Sequence, residues 1–572
     1  AGAMRRLGAT EGTILVALQK ENLERCEPPL PEQEVANIAS SVSRYRPGDG
    51  RASRDGLVAI LGDDVKFFHT PDAEAYVTIR VNDHHETWRL HDSTFKKWLA
   101  ARCYDLFEKM PRAQVLGDIL AVLEGIALFE SPKQRVFTRI GERDGAIYLD
   151  LCNRRWEVIE ITAHGWRVIP DAPVKFRRAR GMRPIRTPKK KGSIGDLRAF
   201  LNLSTDNDFV LLVSWLVGAL RPKGPYPVLV LQGEAGSAKS TAARVLRALV
   251  DANTSPLRSE PRETRDLMIA AKNSWVVAFD NVSHLSWRLS DNLCRLATGG
   301  GFSTRQLYTD DDEKLFEATR PILLNGIDGV VTRGDLMDRS MVAYLPVITD
   351  THRKSEKQFW GDFRKAQPRM LGALLDAVSC SLRRLSAVKL VRFPRMADFA
   401  QWVTAAEPAL GWSKGTFLNA YEANRISANA LTLEASVIVA PLRDLCAMGE
   451  WKGTAQALLD ALHRRVSLRE IQQRDWPKNP QVLATHLRRL APNLRTAGLD
   501  LTFGEKTAGR GSKRIITIKH VNAENTGTGD DDNEREMPTE LAEIWAEHER
   551  RQQGKDAIRR FPREKIRRFP RE

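Results

Sequence analysis

Cysteine is scarce in this sequence, and its placement excludes two kinds of small stabilised domain. The chain has six cysteines in 572 residues, at positions 26, 103, 152, 294, 380 and 446. No two of them form a C-x-x-C pair, so the pattern argues against a zinc ribbon and against a disulfide framework. Scattered thiols of this kind fit a reducing compartment, and we expect a cytoplasmic protein.

Long hydrophobic runs are also missing. No apolar stretch reaches the roughly 18 residues that a membrane-spanning helix needs. We therefore expect no membrane partner, and the first residues do not have the pattern of a signal peptide. The chain begins at Ala1 rather than at a methionine, so we expect it to be a piece of a longer protein.

Acidic residues are outnumbered. The chain has 88 Lys and Arg against 72 Asp and Glu, which gives a net charge of +16 and a pI near 9.6. Its hydrophobic content of 42% and charged content of 28% are ordinary for a soluble protein, and its length predicts several domains. The positive excess favours a polyanionic partner, most simply nucleic acid.

The stretch that organises the chemistry is Val228–Arg244, VLVLQGEAGSAKSTAAR. A strand-like apolar run leads into a loop of small residues and then into an alanine-rich helical pattern. The loop fits G-x-x-x-x-(G/A)-K-S, in which backbone N–H groups and a helix N-terminus bind phosphate, and Ala238 replaces the usual second glycine. The alternative is a small-residue turn with a solvated lysine. The candidate nucleotide contacts are Gly233, Glu234, Ala235, Gly236, Ser237, Ala238, Lys239, Ser240 and Thr241, with Lys239 for the outer phosphates and Ser240 for Mg²⁺.

A second apolar run, SWVVAFDN, ends in Asp280, which is suited to hold Mg²⁺ through water and to position an attacking water. A plain strand-end turn is the alternative. Asn281 follows, at the position where many ATPases with a phosphate-binding loop have a glutamate that polarises the attacking water. Either hydrolysis is slow, or another acid does that work, and Glu260 and Glu263 are the candidates.

A third apolar run ends in Asn325, whose amide can hydrogen-bond the attacking water or the γ-phosphate. Arg339 follows directly before a fourth strand, Met341–Pro346, and Arg333 lies shortly before it. An arginine here can neutralise charge in the transition state at a neighbouring subunit. Arg339 is the first candidate and Arg333 the second; a surface ion pair with Asp335 or Asp338 is the alternative for each.

These four features in this order resemble the AAA+ ATPases, and more closely the superfamily 3 and minichromosome-maintenance-like helicases of phages and mobile elements. The string DNLCRLATGGGFSTRQLYTDDDEKLFEATRPILLNGI is similar to ATP-binding replication proteins of prophages. The resemblance covers roughly residues 195–425 and departs from the pattern at Ala238 and Asn281. It implies ATP and Mg²⁺ as cofactors, Asn325 as a sensor, Arg339 as a finger acting in trans, and a hexameric ring with ATP sites between subunits.

The stretch MRRLGATEGTILVALQKENLERCEPPLPEQEVANIASSV, near the start of the chain, resembles the primase C-terminal domain, a small helical module. The resemblance implies a primase domain upstream in the parent protein. A generic helical lead-in is the alternative.

The pattern of apolar and polar residues over 55–180 predicts mixed α/β structure. Strands are expected at Ala75–Val81, Ala146–Cys152, Trp156–Ile161 and Trp166–Ile169, and helices at Phe95–Cys103 and Val115–Leu128. Histidines 69, 84, 85 and 91 match no metal-site spacing, and we assign no activity here. The basic segment Phe176–Lys191 reads as a linker, with a contact to a phosphate backbone as the sharper hypothesis.

Two further segments suggest DNA contacts. Strand-like arms around an acidic tip, within residues 299–319, predict a hairpin, and in the helicases that the chain resembles a hairpin here enters the pore. A packing or subunit-contact hairpin is equally open. Helices at Leu431–Met448, Thr454–Arg464 and Pro480–Leu490, followed by a basic glycine-containing hairpin, resemble a winged helix, which could instead bind protein. The candidate DNA contacts are Arg305, Tyr308 and Lys314 on the first hairpin, Arg488, Arg489 and Arg495 on the last helix, and Lys506, Arg510, Lys513 and Arg514 on the wing.

The sequence thus predicts an α/β protein with an AAA+ P-loop core. The expected divisions are a helical module (1–48), an α/β domain (49–180), the ATPase core (181–352), a helical lid (353–428) with Arg369 near the nucleotide, a winged helix (429–521) and a disordered tail (522–572). The expected function is an ATP-dependent helicase or translocase on single-stranded or forked DNA, in replication of a phage or mobile element. A replication initiator or loader switch without processive unwinding and a nucleotide-bound DNA-binding assembly factor are the alternatives.

Overall fold

The computed structural model describes residues 11–520 except 27, 45–60, 62–63, 108–111, 284, 306–312, 328, 332, 350, 352, 435, 448, 474 and 507–513. The predicted tail and the hairpin-tip residue Tyr308 lie outside this part of the chain, as do Arg510 and Lys513. In the described residues, no helix combines the length and the apolar character that crossing a membrane requires.

The chain begins with two helices, α1 (Glu11–Arg25) and α2 (Glu32–Ser43), that pack against each other. The second helix starts directly after Pro31, which suits a helix start because its ring fixes φ and its nitrogen has no proton to leave unpaired. Val35 and Ala39 form its buried side. The helical prediction for this module is confirmed.

A mixed α/β region follows. An antiparallel sheet of order β1-β2-β3 is covered by two helices, and a four-stranded antiparallel meander, β5 to β8, lies beyond it. The predicted strand Ala75–Val81 is present with these bounds, whereas the second helix changes to a π-helical turn after Gly125. The elements are β1 (Lys66–His69), β2 (Ala75–Val81), β3 (His84–Arg89), α3 (Ser93–Phe107), α4 (Ala113–Gly125), β4 (Val136–Phe137), β5 (Ile140–Arg143), β6 (Ala146–Asp150), β7 (Val158–Thr162), β8 (Gly165–Ile169) and β9 (Lys175–Phe176).

The centre of the molecule is a parallel sheet of order β11-β14-β10-β15. All of its strands except the last residue of β15 are buried, which explains why each reads as a continuous apolar run. Because the strands are parallel, their carboxyl ends meet at one edge, and Leu231 lies opposite both Asn325 and Ala343. The strands are β10 (Val228–Gln232), β11 (Val277–Phe279), β14 (Ile322–Gly326) and β15 (Ser340–Tyr344).

Helices cover both faces of this sheet and form the largest hydrophobic core. Helix α5 is almost entirely buried, and the indole N–H of its Trp215 donates to the carbonyl of Pro227 just before β10. Trp402 is 4% exposed, and Trp412 packs partly buried against the same core. The helices are α5 (Asp206–Ala219), α6 (Lys239–Val250), α7 (Thr264–Asn273), α8 (Trp287–Thr298), α9 (Gly334–Met337), α10 (Glu356–Arg384), α11 (Ala397–Ala406) and α12 (Thr416–Glu434).

The segment that was expected to be a linker packs along helix α10. The Lys189 N–H donates to the carbonyl of Pro368 at 2.8 Å. A Cβ on Gly192 would lie 1.8 Å from the Arg369 carbonyl oxygen, and one on Gly372 would lie 1.9 Å from that of Lys189. Backbone meets backbone here, so only glycine fits at either position.

The predicted hairpin is present as two paired strands, β12 (Gly301–Arg305) and β13 (Glu313–Glu317). The C-terminal part forms a three-stranded antiparallel sheet of order β16-β18-β17 against four helices. Its elements are α13 (Val439–Cys446), β16 (Trp451–Thr454), α14 (Ala455–His463), α15 (Leu468–Ile471), α16 (Pro480–Thr496), β17 (Leu499–Lys506) and β18 (Arg514–His520). The helix expected over Leu431–Met448 is wrong, since α12 ends at Glu434 and α13 starts at Val439.

Candidate active site

The loop between β10 and α6 bends through three residues with positive φ. Gly233 and Gly236 have φ of 152° and 82°, and Ala238 has φ of 63°. A Cβ on Gly233 would lie 2.2 Å from the Leu345 carbonyl oxygen, so glycine is required there. Ala238 adopts the left-handed conformation as the residue that caps α6, at a cost of about 1 kcal/mol relative to glycine. The sequence departure at this position therefore leaves the turn intact but strained.

Lys239 lies across the loop that precedes it. Its Nζ donates to the carbonyl oxygens of Gly233 and Glu234, each at 2.7 Å, and to Ser237 Oγ at 3.3 Å. This places an ammonium group in the concavity of the loop at the N-terminus of a 12-residue helix. A lysine charge and a helix dipole at one point favour an anion.

The structure brings Ser240 and Asp280 together, although they are 40 residues apart in the chain. The Ser240 hydroxyl donates to Asp280 Oδ1 at 2.8 Å, because α6 starts at the same sheet edge where the strand β11 ends. In the described residues, no three His, Cys, Asp or Glu side chains form a metal-binding group. Mg²⁺ suits the pair that is present, since it takes one or two protein oxygens and completes its shell with phosphate oxygens and water.

Asn325 ends β14 next to Asp280 and is 1% exposed. Its Oδ1 accepts the backbone N–H of Asn281 at 2.8 Å, while its buried Nδ2 has no hydrogen-bond partner in the described residues. A buried donor without a partner costs about 1–3 kcal/mol, so this amide is suited to an oxygen acceptor that binds at the edge. Asn281 itself has φ of 53°, which asparagine tolerates, and its side chain is exposed.

A short parallel bridge joins Arg258 to Phe279 at the open side of β11. The Asp280 N–H donates to the Arg258 carbonyl at 2.8 Å. The chain runs from this bridge towards Glu260 along the same edge that carries Asp280. Glu260 is half-buried there, whereas Glu263 is exposed and precedes α7, which favours Glu260 of the two candidate acids.

The first candidate arginine, Arg339, lies at the other edge of the sheet. The Val228 N–H, at the start of β10, donates to the Arg339 carbonyl at 2.8 Å. Five strand residues, about 16 Å, therefore separate Arg339 from the loop of its own chain. Its guanidinium donates to the Asp335 backbone carbonyl at 2.6 Å, and its buried Nε has no partner in the described residues.

Arg333 precedes α9 and forms an ion pair with Asp291 at 3.2 Å. The expected ion pairs of the two arginines with Asp335 or Asp338 are absent from the described residues, and Asp338 is paired with Arg395 at 2.8 Å. Of the two arginines, Arg339 is the one that the length of β10 separates from the loop of its own chain.

A cavity of about 580 Å³ opens beside the loop, and sequence reasoning missed its walls. Phe200 stacks edge-on against Phe359, with ring centroids 5.6 Å apart, and Phe359 against Trp360 at 5.4 Å. Aromatic walls next to a phosphate-type loop fit a planar base. The loop contributes Gly236, Ala238 and Thr241, and the other lining residues include Phe200, Asn202, Ile348, Arg353, Glu356, Phe359 and Trp360.

The cavity corrects the expectation for Arg369. That side chain is exposed and forms an ion pair with Asp196 at 3.6 Å, further along α10. The first turn of α10 lines the cavity instead. In the sequence, Phe359 and Trp360 stand side by side near the start of α10. The residues that complete the cavity come from segments distant in the chain, so the pair alone did not reveal it.

Among the described residues, the candidate DNA contacts do not form one surface. Arg305 and Lys314 lie on the paired hairpin strands, opposite Glu313 and Thr304 respectively. Arg488 and Arg489 are exposed on α16, and the Arg488 guanidinium lies 5.3 Å from the ring centroid of Phe503. On the wing, Lys506 ends β17 opposite Arg514, and in α16 the side chain of Arg495 pairs with Asp500 at 2.7 Å.

The four histidines singled out in the sequence each have an acceptor close by. His84 contacts Glu86, His85 bridges Asp64 and Asp171, and His91 contacts Glu124, at 2.7–2.9 Å. His69 contacts the Ala127 carbonyl at 2.8 Å. The two carboxylates raise the pKa of His85. These contacts account for the histidines without a catalytic role.

Three protein-family models match the chain. Residues 194–431 match the Actinomycete integrative conjugative element replication protein, residues 435–535 match the AICE RepA C-terminal domain, and residues 1–48 match Primase C terminal 1 (PriCT-1). No curated protein matched. The apo C-terminal region of NrS-1 is similar at 12% identity, over 80% of this chain and 96% of that one, with a TM-score of 0.34.

A second structure of that region has 10% identity, covers 79% and 96% of the two chains and has a TM-score of 0.33. Likeness this remote carries no argument about the present chain. The family matches do carry one. They confirm the primase-type module over residues 1–48 and the similarity to mobile-element replication proteins. The chain is a replication protein of a mobile element with a primase-related domain at its start.

Proposed function

We propose that this replication protein is an ATP-dependent DNA helicase or translocase with an AAA+ core. The observation that carries the proposal is the contact of Ser240 with Asp280 beside the Lys239 loop. In the parallel sheet, the loop follows β10, the aspartate follows β11 and the asparagine ends β14. This is the order of parts that the AAA+ resemblance implies, and all three meet at one edge.

In this proposal each side chain has a defined task. Lys239 exchanges its two loop carbonyls for phosphate oxygens, and Ser240 and Asp280 hold Mg²⁺ directly or through water. The unpartnered Asn325 amide donates to the attacking water or to the γ-phosphate. Bound Mg²⁺ neutralises charge on the phosphates. The aromatic cavity beside the loop holds the base.

Asn281 has no carboxylate, so the general base must be another residue. An amide cannot accept a proton at neutral pH, so Asn281 can orient water but cannot activate it. Glu260 is the carboxylate on the neighbouring segment and is proposed for this step. A base that acts from a second segment predicts slow turnover, because two segments must be positioned together.

The ATP site is proposed to be shared between subunits of a hexameric ring. Arg339 is half-buried and lies about 16 Å from its own loop, at the opposite edge of the sheet, so we propose that it serves the site of a neighbouring subunit. A head-to-tail contact joins the two different edges and closes into a ring. DNA is proposed to contact the hairpin β12–β13 and the arginines of α16, with the C-terminal part acting as a winged helix whose order is α13, β16, α14, α15, α16, β17, β18.

A second function remains on the same scaffold, favoured by Ala238 and Asn281: an ATP switch that loads or opens DNA without unwinding it. A nucleotide-bound assembly factor is the third. ATP turnover with and without DNA, measured beside strand displacement on a forked duplex, separates the three. The helicase requires DNA-stimulated turnover and displacement. Turnover without displacement identifies the switch, and the absence of both identifies the assembly factor.

A further inference from the structure

A second polar cavity lies between the α/β region and the central sheet. Its volume is about 400 Å³. Four of the side chains in its wall are arginines, and one is a carboxylate, Asp92. The wall consists of Asp92, Thr94, Arg177, Arg178, Ala179, Arg180, Gly181, Arg258 and Asn273.

Only one of the four arginines is neutralised by a carboxylate. Arg178 makes a two-pronged contact with the buried Asp150, at 2.6 and 2.9 Å. The other three donate to neutral acceptors, and in the described residues none of them has a carboxylate oxygen within 4.0 Å. Arg177 donates to the Lys272 carbonyl at 2.7 Å and to Asn273 Oδ1 at 2.9 Å, Arg180 to Ser93 Oγ at 2.8 Å, and Arg258 to Ser274 Oγ at 3.1 Å.

Burial makes this charge excess costly. Arg258 is half-buried, and desolvation lowers the pKa of its guanidinium. Helix α3 starts at Ser93 on the rim and extends for 15 residues, so its positive end adds to the field of the arginines. Guanidinium groups beside a helix N-terminus favour a ligand with several anionic oxygens, because each arginine can donate more than one hydrogen bond to it.

The surroundings indicate a polymeric anion. The segment that supplies three of the arginines continues past the cavity as a strip whose backbone N–H groups donate to Ala252, Leu151 and, at Lys189, to Pro368 in α10. Five further cations on this strip are exposed, whereas a small anion would need only the cavity itself. They are Arg183, Arg186, Lys189, Lys190 and Lys191.

We propose that the arginine cavity binds a phosphate of a nucleic-acid backbone and that the strand continues along the strip from Arg183 to Lys191. Phosphodiester oxygens supply the anionic acceptors that Arg177, Arg180 and Arg258 do not have among the described residues. The site is separate from the hairpin β12–β13 and from helix α16. It needs no ATP, so it stands or falls independently of the proposed turnover.

The backbone of Arg258 links this cavity to the candidate active site. Its carbonyl accepts the N–H of Asp280, and its N–H donates to the Ala278 carbonyl at 3.1 Å. The side chain of the same residue lines the arginine cavity. Arg258 therefore contacts a phosphate in the cavity through its side chain and contacts Asp280, the candidate magnesium ligand, through its backbone.

The test is fluorescence anisotropy of the full chain without nucleotide, on a labelled single strand and on a duplex of equal length, over a salt series. Arg180→Gln is the main variant, because Arg180 is exposed and makes only one described hydrogen bond, to Ser93. We expect affinity for one or both DNAs to fall by about 3–10-fold, and the slope of log K against log salt to lose about 0.7–0.9. The control is Arg167→Gln, which removes an exposed arginine paired with Glu160 outside the cavity.

Arg177→Gln is the second variant, and its melting temperature is measured alongside to separate lost binding from lost folding. A loss with Arg180→Gln that exceeds the control supports the site, on the single strand or on the duplex according to which DNA responds. Unchanged affinity and slope on both DNAs, or an equal loss in the control, overturns it. Arg180-dependent binding without strand displacement would leave this site standing and remove the helicase proposal.

Discussion

At the scale of single residues, the loop before α6 shows how a departure from a sequence pattern is absorbed. Ala238 occupies a left-handed position, with φ of 63° and ψ of 28°, where a side chain is strained. The strain is local because the neighbouring Gly233 and Gly236 provide the remaining positive φ angles. The loop therefore keeps its shape around Lys239, and the strain only lowers the free energy of unfolding of the protein.

Ala238→Gly should stabilise the protein. Relief of about 1–2 kcal/mol of backbone strain exceeds the roughly 0.5–1 kcal/mol of additional unfolded-state entropy. Thermal unfolding measures the shift. Ala235→Gly is a control in the same exposed loop, because Ala235 does not have positive φ and should lose stability with glycine. Shifts of the same sign in both variants would contradict the strain argument.

At the scale of elements, a buried ion network fastens the α/β region to the central sheet. Arg139 and Asp251 are both fully buried and form an ion pair at 3.0 Å, and Arg247 donates to the Asp251 backbone. Asp251 also accepts the backbone N–H groups of Trp275 and Val276, just before β11. The α/β region, to which the sequence analysis assigns no activity, thus supports the strand that Asp280 follows.

Arg139→Met should destabilise the chain by about 3 kcal/mol, because it removes the shorter of the two buried ion pairs of Asp251 and leaves only that with Arg247, at 3.5 Å. The loss is measured as a lower melting temperature. Arg143→Met, four residues further on, removes an exposed ion pair with Asp144 and should cost less than about 1 kcal/mol. Equal effects of the two variants would show that the buried pair does not join the two regions.

The sequence predicted those elements that have a local signature. The run Ala75–Val81 alternates over one strand, and the strands β10, β11 and β14 are apolar runs that end in polar residues. It did not predict β16, because its four residues pair only with β18, more than 60 residues away. The aromatic cavity and the network around Asp251 stayed hidden for the same reason: each joins segments that are distant in the chain.

At the scale of the whole molecule, the sheet separates the parts of the proposed ATP site. The loop, Ser240, Asp280 and Asn325 lie at the carboxyl edge, whereas Arg339 lies at the amino edge. One chain cannot close this distance without breaking the pairing of β15 with β10. A site that uses Arg339 must therefore be completed by another copy.

Mixing two inactive variants tests this arrangement. Arg339→Ala keeps the loop and Lys239→Ala keeps the arginine, so neighbouring subunits of the two kinds form some complete sites. An equimolar mixture should recover about a quarter of wild-type ATP turnover if subunits assort randomly in a ring. Mixing with wild type, followed by size-exclusion chromatography, controls for subunit exchange. No recovery despite exchange would place the arginine outside the site.

The central claim is that the Lys239 loop binds and turns over ATP. The most direct measurement is steady-state ATP turnover by wild type and by Lys239→Ala, with Lys365→Ala, an exposed lysine on α10, as the matched control. We predict that Lys239→Ala lowers turnover by about 100-fold or more, since it removes the cation at the phosphates, while Lys365→Ala leaves it unchanged. Full turnover by Lys239→Ala would contradict the account.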